Sequence, residues 1–284
     1  MKLLEQGPVS LSLSTTTDLN LDALLEQAER FFSRIPEPMV ALSGGVDSSL
    51  VAVLAARFSP RVVCVTGLSA SLSSEERLEI VSFCEKFKME LVQEETHEMD
   101  QAAYRLNQPD RCFHCKSELY SVVKRVAREK KCGIVLDGTH VEDLRGHRPG
   151  LQAAKEHRIC SPFVELGWNK AVVRHLARHL GLPNHDRPAQ PCLSSRLAYG
   201  IEVTPLRLEQ ISKAEQALKS RGFSRCRVRH HDAIARIEVP KSEMSQVLEQ
   251  AVDLVKDIKA AGFTYVTIDL AGLRSGSLLE VLPS

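Results

Sequence analysis

Within seven residues, Ser43-Gly44-Gly45-Val46-Asp47-Ser48-Ser49 brings together two adjacent glycines, serine hydroxyls and one carboxylate. Such a string suits an oxyanion. Glycines let backbone amides approach it, the positive end of a following helix attracts it, and serine hydroxyls add donors. The chemistry indicated is nucleotide phosphate binding. A loop that grips and transfers a terminal phosphate carries Gly-x-x-x-x-Gly-Lys-Ser/Thr; no lysine lies in this one, so terminal phosphoryl transfer is not favoured. An ordinary strand-to-helix turn also uses Ser, Gly and Asp. The flanking apolar run Met39 to Leu42 and the helix-compatible Leu50 to Leu54 supply the setting a phosphate loop needs, and the nucleotide reading is preferred.

A second chemical set is Arg111-Cys112-Phe113-His114-Cys115-Lys116, a Cys-x-x-Cys spacing at a helix start, where amides and cationic neighbours favour thiolate. A structural zinc site takes four closed ligands, and the chain adds only Cys192, in Pro191-Cys192-Leu193-Ser194-Ser195-Arg196. Three thiolates suit an iron-sulfur cluster with one open iron. A redox dithiol or an incidental spacing also accounts for Cys112 and Cys115, and sequence alone does not join Cys192 to them. The third set is Arg225-Cys226-Arg227-Val228-Arg229-His230-His231, where strand alternation puts Arg225, Arg227 and Arg229 on one face, with Arg236-Ile237-Glu238 following. Arginine forks match phosphate, while a solvated strand face is an equal alternative on these residues alone. Arg274-Ser275-Gly276-Ser277 reads as a further anion-contact loop. His114, His140 and the pair His230-His231 lack metalloprotease spacing, so no catalytic metal is assigned to histidine. Cys64 and Cys84 read as core residues, and Cys132, Cys160 and Cys226 as structural.

Elements that could position these sets follow from periodicity. Leu21, Leu24, Leu25, Ala28 and Phe31 predict a helix that ends before Pro36 and Pro38. Met39 to Leu42, Val62 to Val65, Met89 to Val92 and Ile134 to Leu136 predict buried strands, alternating with helical segments. Ser73 with Glu76 reads as a capping box, and Leu119, Val122, Val123 and Val126 as one helix face. The alternation predicts an α/β fold with a parallel sheet whose ligands bind at the strands' carboxyl ends, where the glycine loop and Asp137 to Asp143 fall. Asn169 to Leu180 reads as a helix stopped by Gly181-Leu182-Pro183. From Thr204 the order helix, strand, strand, helix, strand predicts a smaller α/β domain. The expected domains are 1–200 and 201–284. At 284 residues, 43% hydrophobic and 26% charged, the chain is long enough for both. Lys+Arg at 37 against Asp+Glu at 36 gives a net charge of +1, so no global field for a polyanion exists and large nucleic acids are not required. No apolar stretch reaches membrane-spanning length and no export signal is evident, so a cytoplasmic protein with reduced thiols is expected.

The Ser43 to Ser48 loop resembles the PP-loop of N-type ATP pyrophosphatases, which cut ATP between its α and β phosphates and place AMP on a substrate. Taken with the Arg111 to Lys116 and Pro191 to Arg196 motifs, Tyr199-Gly200, Arg227-Val228-Arg229 and Ala235-Arg236-Ile237-Glu238-Val239, the chain resembles the LarE family from about residue 20 to its C-terminus. These are ATP-dependent sulfur transferases of nickel-pincer-nucleotide biosynthesis. The resemblance implies a PP-loop ATP pyrophosphatase domain (adenine nucleotide alpha hydrolase-like) and a C-terminal domain for substrate binding and oligomerisation. It implies adenylation of the carboxylates of pyridinium-3,5-biscarboxylic acid mononucleotide and their conversion to thiocarboxylates.

By the same resemblance ATP and Mg2+ are held at Ser43, Gly44, Gly45, Val46, Asp47, Ser48 and Ser49, with Asp47 organising the magnesium and phosphates. Cys192 handles sulfur. Arg227, Arg229 and Arg274 hold the substrate phosphate, with Glu215 and Glu238 as polar or metal-facing groups near it. Single-cysteine family members sacrifice the sulfur at the Cys192 position, whereas three-cysteine members hold a 4Fe-4S cluster carrying a labile sulfide. Cys112, Cys115 and Cys192 place this chain with the latter. Family members form homo-oligomers, often hexamers. A PP-loop tRNA thiolase and an NAD synthetase-like amidotransferase share the adenylation and are the rival readings; an appended RNA module is not evident, and an ammonia-delivering enzyme has no use for three placed thiols.

Overall fold

The computed structural model describes residues 20–145, 148–188 and 191–274. Two compact units result. The first comprises residues up to Leu68, Ser74–Thr96 and Cys115–Gln190, and the second Ser69–Ser73, His97–His114 and the chain from Pro191.

In the first unit, helices α1 (Leu21–Phe32), α2 (Val46–Phe58) and α3 (Ser74–Lys86) alternate with strands β1 (Pro38–Ala41), β2 (Val63–Leu68) and β3 (Glu90–Glu95). Strand β4 (Ile134–Leu136) completes a parallel sheet of order β3-β2-β1-β4. Val40 pairs with Cys64 on one side and Leu136 on the other, so β1 is central and every residue in it is buried. A strand covered on both faces reads as a continuous apolar run, which is how Met39 to Leu42 appears in the sequence. Helix α2 is likewise buried nearly all round through Leu50, Val51, Ala52, Leu54 and Ala55, while α1 buries only the Leu24, Ala28, Phe32 stripe. The Asn20 carboxamide oxygen caps α1 by accepting the Asp22 and Ala23 amides at 3.1 and 3.3 Å. The edge strand β3 is charged, and Glu90 is paired by Arg61 and Lys130, which discourages edge-to-edge association.

A short helix α4 (Ala102–Arg105) precedes α5 (Arg111–Glu129), whose first turn lies in the second unit and the rest in the first. Helices α6 (Pro149–Glu156), α7 (Pro162–Glu165) and α8 (Lys170–His179) follow in the first unit. Asn169 caps α8 through the Val172 amide at 3.0 Å, and Val172, Val173, Leu176 and Ala177 face inward. Helices α6 and α7 are too short to show an apolar period in the sequence.

In the second unit, α9 (Pro205–Ser220) starts at the Thr204 cap, whose hydroxyl accepts the Arg207 amide at 3.2 Å. Strands β5 (Arg227–His231), β6 (Ile234–Glu238) and β7 (Tyr265–Ile268) form a sheet of that order, the first pair antiparallel and the second parallel. Helices α10 (Met244–Glu249) and α11 (Ala251–Ala260) connect β6 to β7, and Leu218, Phe223, Val228, Ile237, Leu254 and Ile258 make the core. This is the helix, strand, strand, helix, strand order expected from Thr204 onward, except that the single helix expected between the last two strands is broken at Gln250 into α10 and α11. The unit also takes in earlier residues, where the sequence reading divides the chain near residue 200. The reason is local: the Asn107 carboxamide donates to the Ala198 and Ile201 carbonyls at 2.8 and 3.0 Å, and Leu193 N donates to the Ser71 carbonyl at 3.3 Å. Among the described residues no helix is long and apolar enough to cross a membrane.

Candidate functional site

The glycine loop lies between the end of β1 and the first turn of α2, at the carboxyl edge of the parallel sheet. Gly44 has φ +76°, a left-handed conformation that L side chains resist, and Gly45 is the N-cap of α2 without a side-chain cap. The first amides of α2 therefore remain available to an anion. Ser48 braces the loop: its hydroxyl donates to the Gly45 carbonyl at 3.1 Å, accepts the Ser43 amide at 3.2 Å and lies 3.1 Å from the Ser43 hydroxyl. From far along the chain, Asn184 donates to the Gly44 carbonyl and to the Ser49 hydroxyl, each at 2.9 Å.

Asp47 does not face solvent alone. The Lys170 ammonium, at the first position of α8, sits 2.5 and 2.6 Å from its two carboxylate oxygens, and both side chains are about a quarter exposed (27%). The loop thus has a lysine after all, supplied 123 residues downstream. Neither Lys170 nor Asn184 carries a local signal that could have identified it; only the fold brings them to the loop.

Gly138 presses on the same loop. A Cβ there would stand 2.5 Å from the Ser48 nitrogen and 2.8 Å from the Asp47 carbonyl carbon, so the close approach requires glycine. Its neighbour Asp137 accepts from the Tyr120 hydroxyl at 2.9 Å, the Thr139 hydroxyl at 2.8 Å and the Ser161 hydroxyl at 2.7 Å. Burial first, then the Asp137 charge, raises the Tyr120 hydroxyl far above its ordinary pKa, so it stays a donor. The Asp137 to Asp143 segment accordingly touches the phosphate loop, as its position after β4 suggests.

In the second unit Cys192 is the N-cap of a 3-10 turn, Leu193–Arg196, and is exposed, as is Cys112. Cys115 lies one turn further along α5 and is half-buried. None of the eight cysteines is bridged. Three thiols are the donor chemistry an iron-sulfur cluster takes, but among the described residues no group of three or more His, Cys, Asp or Glu is gathered to hold a metal ion. Cys160 and Cys226 are pushed up to about 12 by burial, which suits inert structural thiols. His230 is lowered to about 4 by burial and then by Arg207, so it is neutral near pH 7, with Nε2 3.0 Å from the Gln210 carboxamide oxygen.

The arginine set is a network of ion pairs. The Glu215 carboxylate accepts Arg196 Nε and Nη2 at 2.8 and 3.1 Å and the Val228 amide at 3.1 Å. Glu238, fully buried, accepts Arg229 at 2.9 Å and lies 3.3 Å from Arg236. Arg229 also donates to the Ser195 carbonyl at 2.8 Å. Arg274 is 3.1 Å from Asp269, which Arg236 also pairs. Arg227 stands apart: it is half-buried, and burial, then Arg229 and Arg196, lower its pKa, the mark of a cation crowded by like charge. Such a position gains from an incoming anion. Arg225 precedes β5 and is exposed, so the expected face of three alternating arginines reduces to Arg227 and Arg229. Ser275 to Ser277 lie outside the described residues.

Residues 22–140 match the asparagine synthase family model. The chain is 40% identical over 267 residues to an uncharacterized protein of Synechocystis sp., covering 92% of this chain and 99% of that one. It is 34% identical over 245 residues to the pyridinium-3,5-bisthiocarboxylic acid mononucleotide synthase of Lactiplantibacillus plantarum, covering 86% and 89% respectively. An uncharacterized protein of Methanocaldococcus jannaschii is 27% identical over 237 residues, covering 84% of this chain and 90% of that one.

Proposed function

Because the chain belongs to the LarE family, that of the pyridinium-3,5-bisthiocarboxylic acid mononucleotide synthase, we infer that it is an ATP-dependent sulfurtransferase that makes the thiocarboxylates of the nickel-pincer nucleotide. Its substrate is the corresponding biscarboxylic acid mononucleotide. The observation that carries this reading is the amide cradle at the carboxyl end of β1, joined to Asp47 and Lys170, in a chain alike to that synthase over most of its length.

The chemistry follows from the difficulty of replacing carboxylate oxygen. Oxide does not leave. The substrate carboxylate oxygen attacks the α-phosphorus of ATP, the bond to the bridging oxygen breaks, and pyrophosphate departs. A sulfur nucleophile then attacks the acyl carbon, the carbon-oxygen bond breaks, and AMP carries the oxygen away. The Gly44 to Ser49 amides and hydroxyls hold the β and γ phosphates and offset the charge gathering on pyrophosphate. Asp47, a hard oxygen donor at that loop, suits magnesium, which supplies charge neutralisation when bound with ATP. Asp47 would hold the metal, and Lys170, which pairs with it in the free loop, would give the phosphates the cation a PP-loop otherwise lacks. Gly138 and Asn184 keep the loop in one conformation.

In the second unit Arg227 and Arg229 receive the substrate phosphate, and Glu215, Glu238 and the Asp269-Arg274 pair fix the guanidinium planes around it. Cys192 handles the sulfur. Cys112, Cys115 and Cys192 would hold a 4Fe-4S cluster, which supplies an open iron able to carry a labile sulfide. The chain acts in the cytoplasm as a homo-oligomer. Anaerobic incubation with ATP, Mg2+ and the biscarboxylate mononucleotide, followed by mass spectrometry of substrate and polypeptide, tests this. Thiocarboxylate with an unchanged polypeptide and visible iron-sulfur absorbance is the expected result; loss of one hydrogen sulfide from the polypeptide would assign the sacrificial route, and no thiocarboxylate would overturn the function.

A further inference from the structure

Asp137 follows β4 at the carboxyl edge of the parallel sheet and is buried. Its Oδ1 accepts the Thr139 amide at 3.1 Å and the Ser161 hydroxyl at 2.7 Å, and its Oδ2 accepts the Thr139 hydroxyl at 2.8 Å and the Tyr120 hydroxyl at 2.9 Å. Two bonds on each oxygen fill the four acceptor positions of a carboxylate and leave none for a metal ion. Asp47 instead meets the Lys170 ammonium. The two acids of this sheet edge therefore differ in kind, and Asp137 is an anchor. Its donors come from separate elements. Ser161 runs beside β4, where the Cys160 amide donates to the Val135 carbonyl and the Asp137 amide to the Cys160 carbonyl, each at 3.0 Å, and its hydroxyl leaves α7 without a side-chain cap. Tyr120 comes from α5 and is 1% exposed; the Lys116 ammonium lies 5.4 Å from its ring centroid and the His157 ring 6.0 Å from it.

What Asp137 anchors is Gly138. A Cβ there would stand 2.9 Å from the Asp47 Cβ as well as 2.5 Å from the Ser48 nitrogen, so the backbone at 138 packs directly on the Asp47-Ser48 peptide. The Ser48 amide precedes the first intrahelical donor of α2, the Ser49 amide, which bonds the Gly45 carbonyl at 3.0 Å. It is one of the amides that a helix start leaves open to an anion. From the Tyr120 hydroxyl to that amide the path runs through one carboxylate and the residue next to it, all within the first unit.

We propose that Tyr120 is a positioning residue for the nucleotide phosphates: its hydroxyl, through Asp137, seats Gly138 on the Asp47-Ser48 peptide and so fixes where the open amides of the loop point. The proposal rests on the reading of that loop as the ATP phosphate site. Amides stabilise the charge gathering on pyrophosphate only as far as they are already aimed at it, and displacement by about 1 Å can cost on the order of a hundred-fold in rate. Loss of one donor in four is a smaller disturbance. It should fall on the chemical step and spare binding of the mononucleotide, which other residues receive.

The test compares Tyr120→Phe, which keeps the ring, and Ser161→Ala, which removes a donor from the other carboxylate oxygen, with the unaltered chain. Amide hydrogen exchange without nucleotide is read by mass spectrometry in peptides spanning residues 43–50 and, as an internal reference, 63–68 of β2. Pyrophosphate release is read with ATP, Mg2+ and the biscarboxylate mononucleotide, and circular dichroism melts establish folding. In Tyr120→Phe, exchange in 43–50 should be about five-fold faster with 63–68 unchanged. The same variant should show kcat about ten-fold lower and KM for the mononucleotide within about two-fold. Ser161→Ala should move the same readouts in the same direction, and it carries the test if Tyr120→Phe does not fold. A tyrosine that merely filled the core would raise exchange in both peptides alike and leave kcat unaltered; either result in a folded variant would overturn the proposal. No pyrophosphate release by the unaltered chain, with the exchange response confined to 43–50, would instead overturn the function and leave Tyr120 as the anchor of the loop.

Discussion

In the proposed reaction the phosphate loop and the arginine strand both serve anions, but they are built in opposite ways. At Gly44 to Ser49 the anion site is backbone, open at the helix start and braced by a few side chains; at β5 it is side chain, with Arg229 and Arg196 committed to buried carboxylates before any ligand arrives. Backbone amides at a helix end need no partner to stay in place. Guanidiniums do, and the fixed carboxylates that hold them tie substrate binding to the stability of the second unit.

The largest effect should appear where that coupling is tightest. Arg229→Gln leaves the Glu238 carboxylate buried without its nearest cation, and should cost about 3–5 kcal/mol, read by denaturant unfolding of the second unit. Arg227→Gln, at the less committed guanidinium, should leave that transition in place and raise KM for the mononucleotide about ten-fold. If both variants behaved alike, the division between an arginine committed to a buried carboxylate and a less committed one would be lost. In the loop, Asp47→Asn keeps shape and removes charge; substrate-dependent pyrophosphate release should fall on the order of a hundred-fold or more with little change in the melt. Lys170→Met should weaken ATP binding about ten-fold in titration calorimetry with a smaller effect on chemistry, and unaltered binding would leave the Asp47-Lys170 pair a structural contact.

How much of this is legible in the sequence follows the same division. The loop, the parallel strands and the β5 arginines are contiguous, so period and residue type reveal them. Lys170 and Asn184 act on residues far from them in sequence or through carbonyls that sequence does not mark, and nothing near them announces it. The family resemblance implies Glu215 and Glu238 as polar or metal-facing groups near the substrate phosphate, and the structure has them as the buried counter-charges of Arg196 and Arg229. Arg225 fails to join its neighbours because β5 begins two residues later, an end effect that alternation alone does not fix. The cysteines remain a donor set rather than a gathered centre among the described residues.

The smallest effect concerns pH. His230 is held neutral in the fold, with its pKa lowered from 6.5 to about 4 by burial and then Arg207. Its contribution is fully present above the unfolded value and is lost as pH falls from about 6.5 through about 4, because the unfolded chain binds the extra proton. The melt of the second unit should decline over that window, and His230→Gln should flatten the decline.

Oxygen tracing tests the central claim most directly. With both carboxylates of the mononucleotide labelled with oxygen-18, turnover with ATP and Mg2+ should yield AMP carrying one labelled oxygen for each thiocarboxylate formed, the oxygen that attacked the α-phosphorus. Label in inorganic phosphate with ADP as the nucleotide product, or thiocarboxylate formed with unlabelled AMP, would contradict adenylation as the step that the Gly44 to Ser49 cradle exists to support.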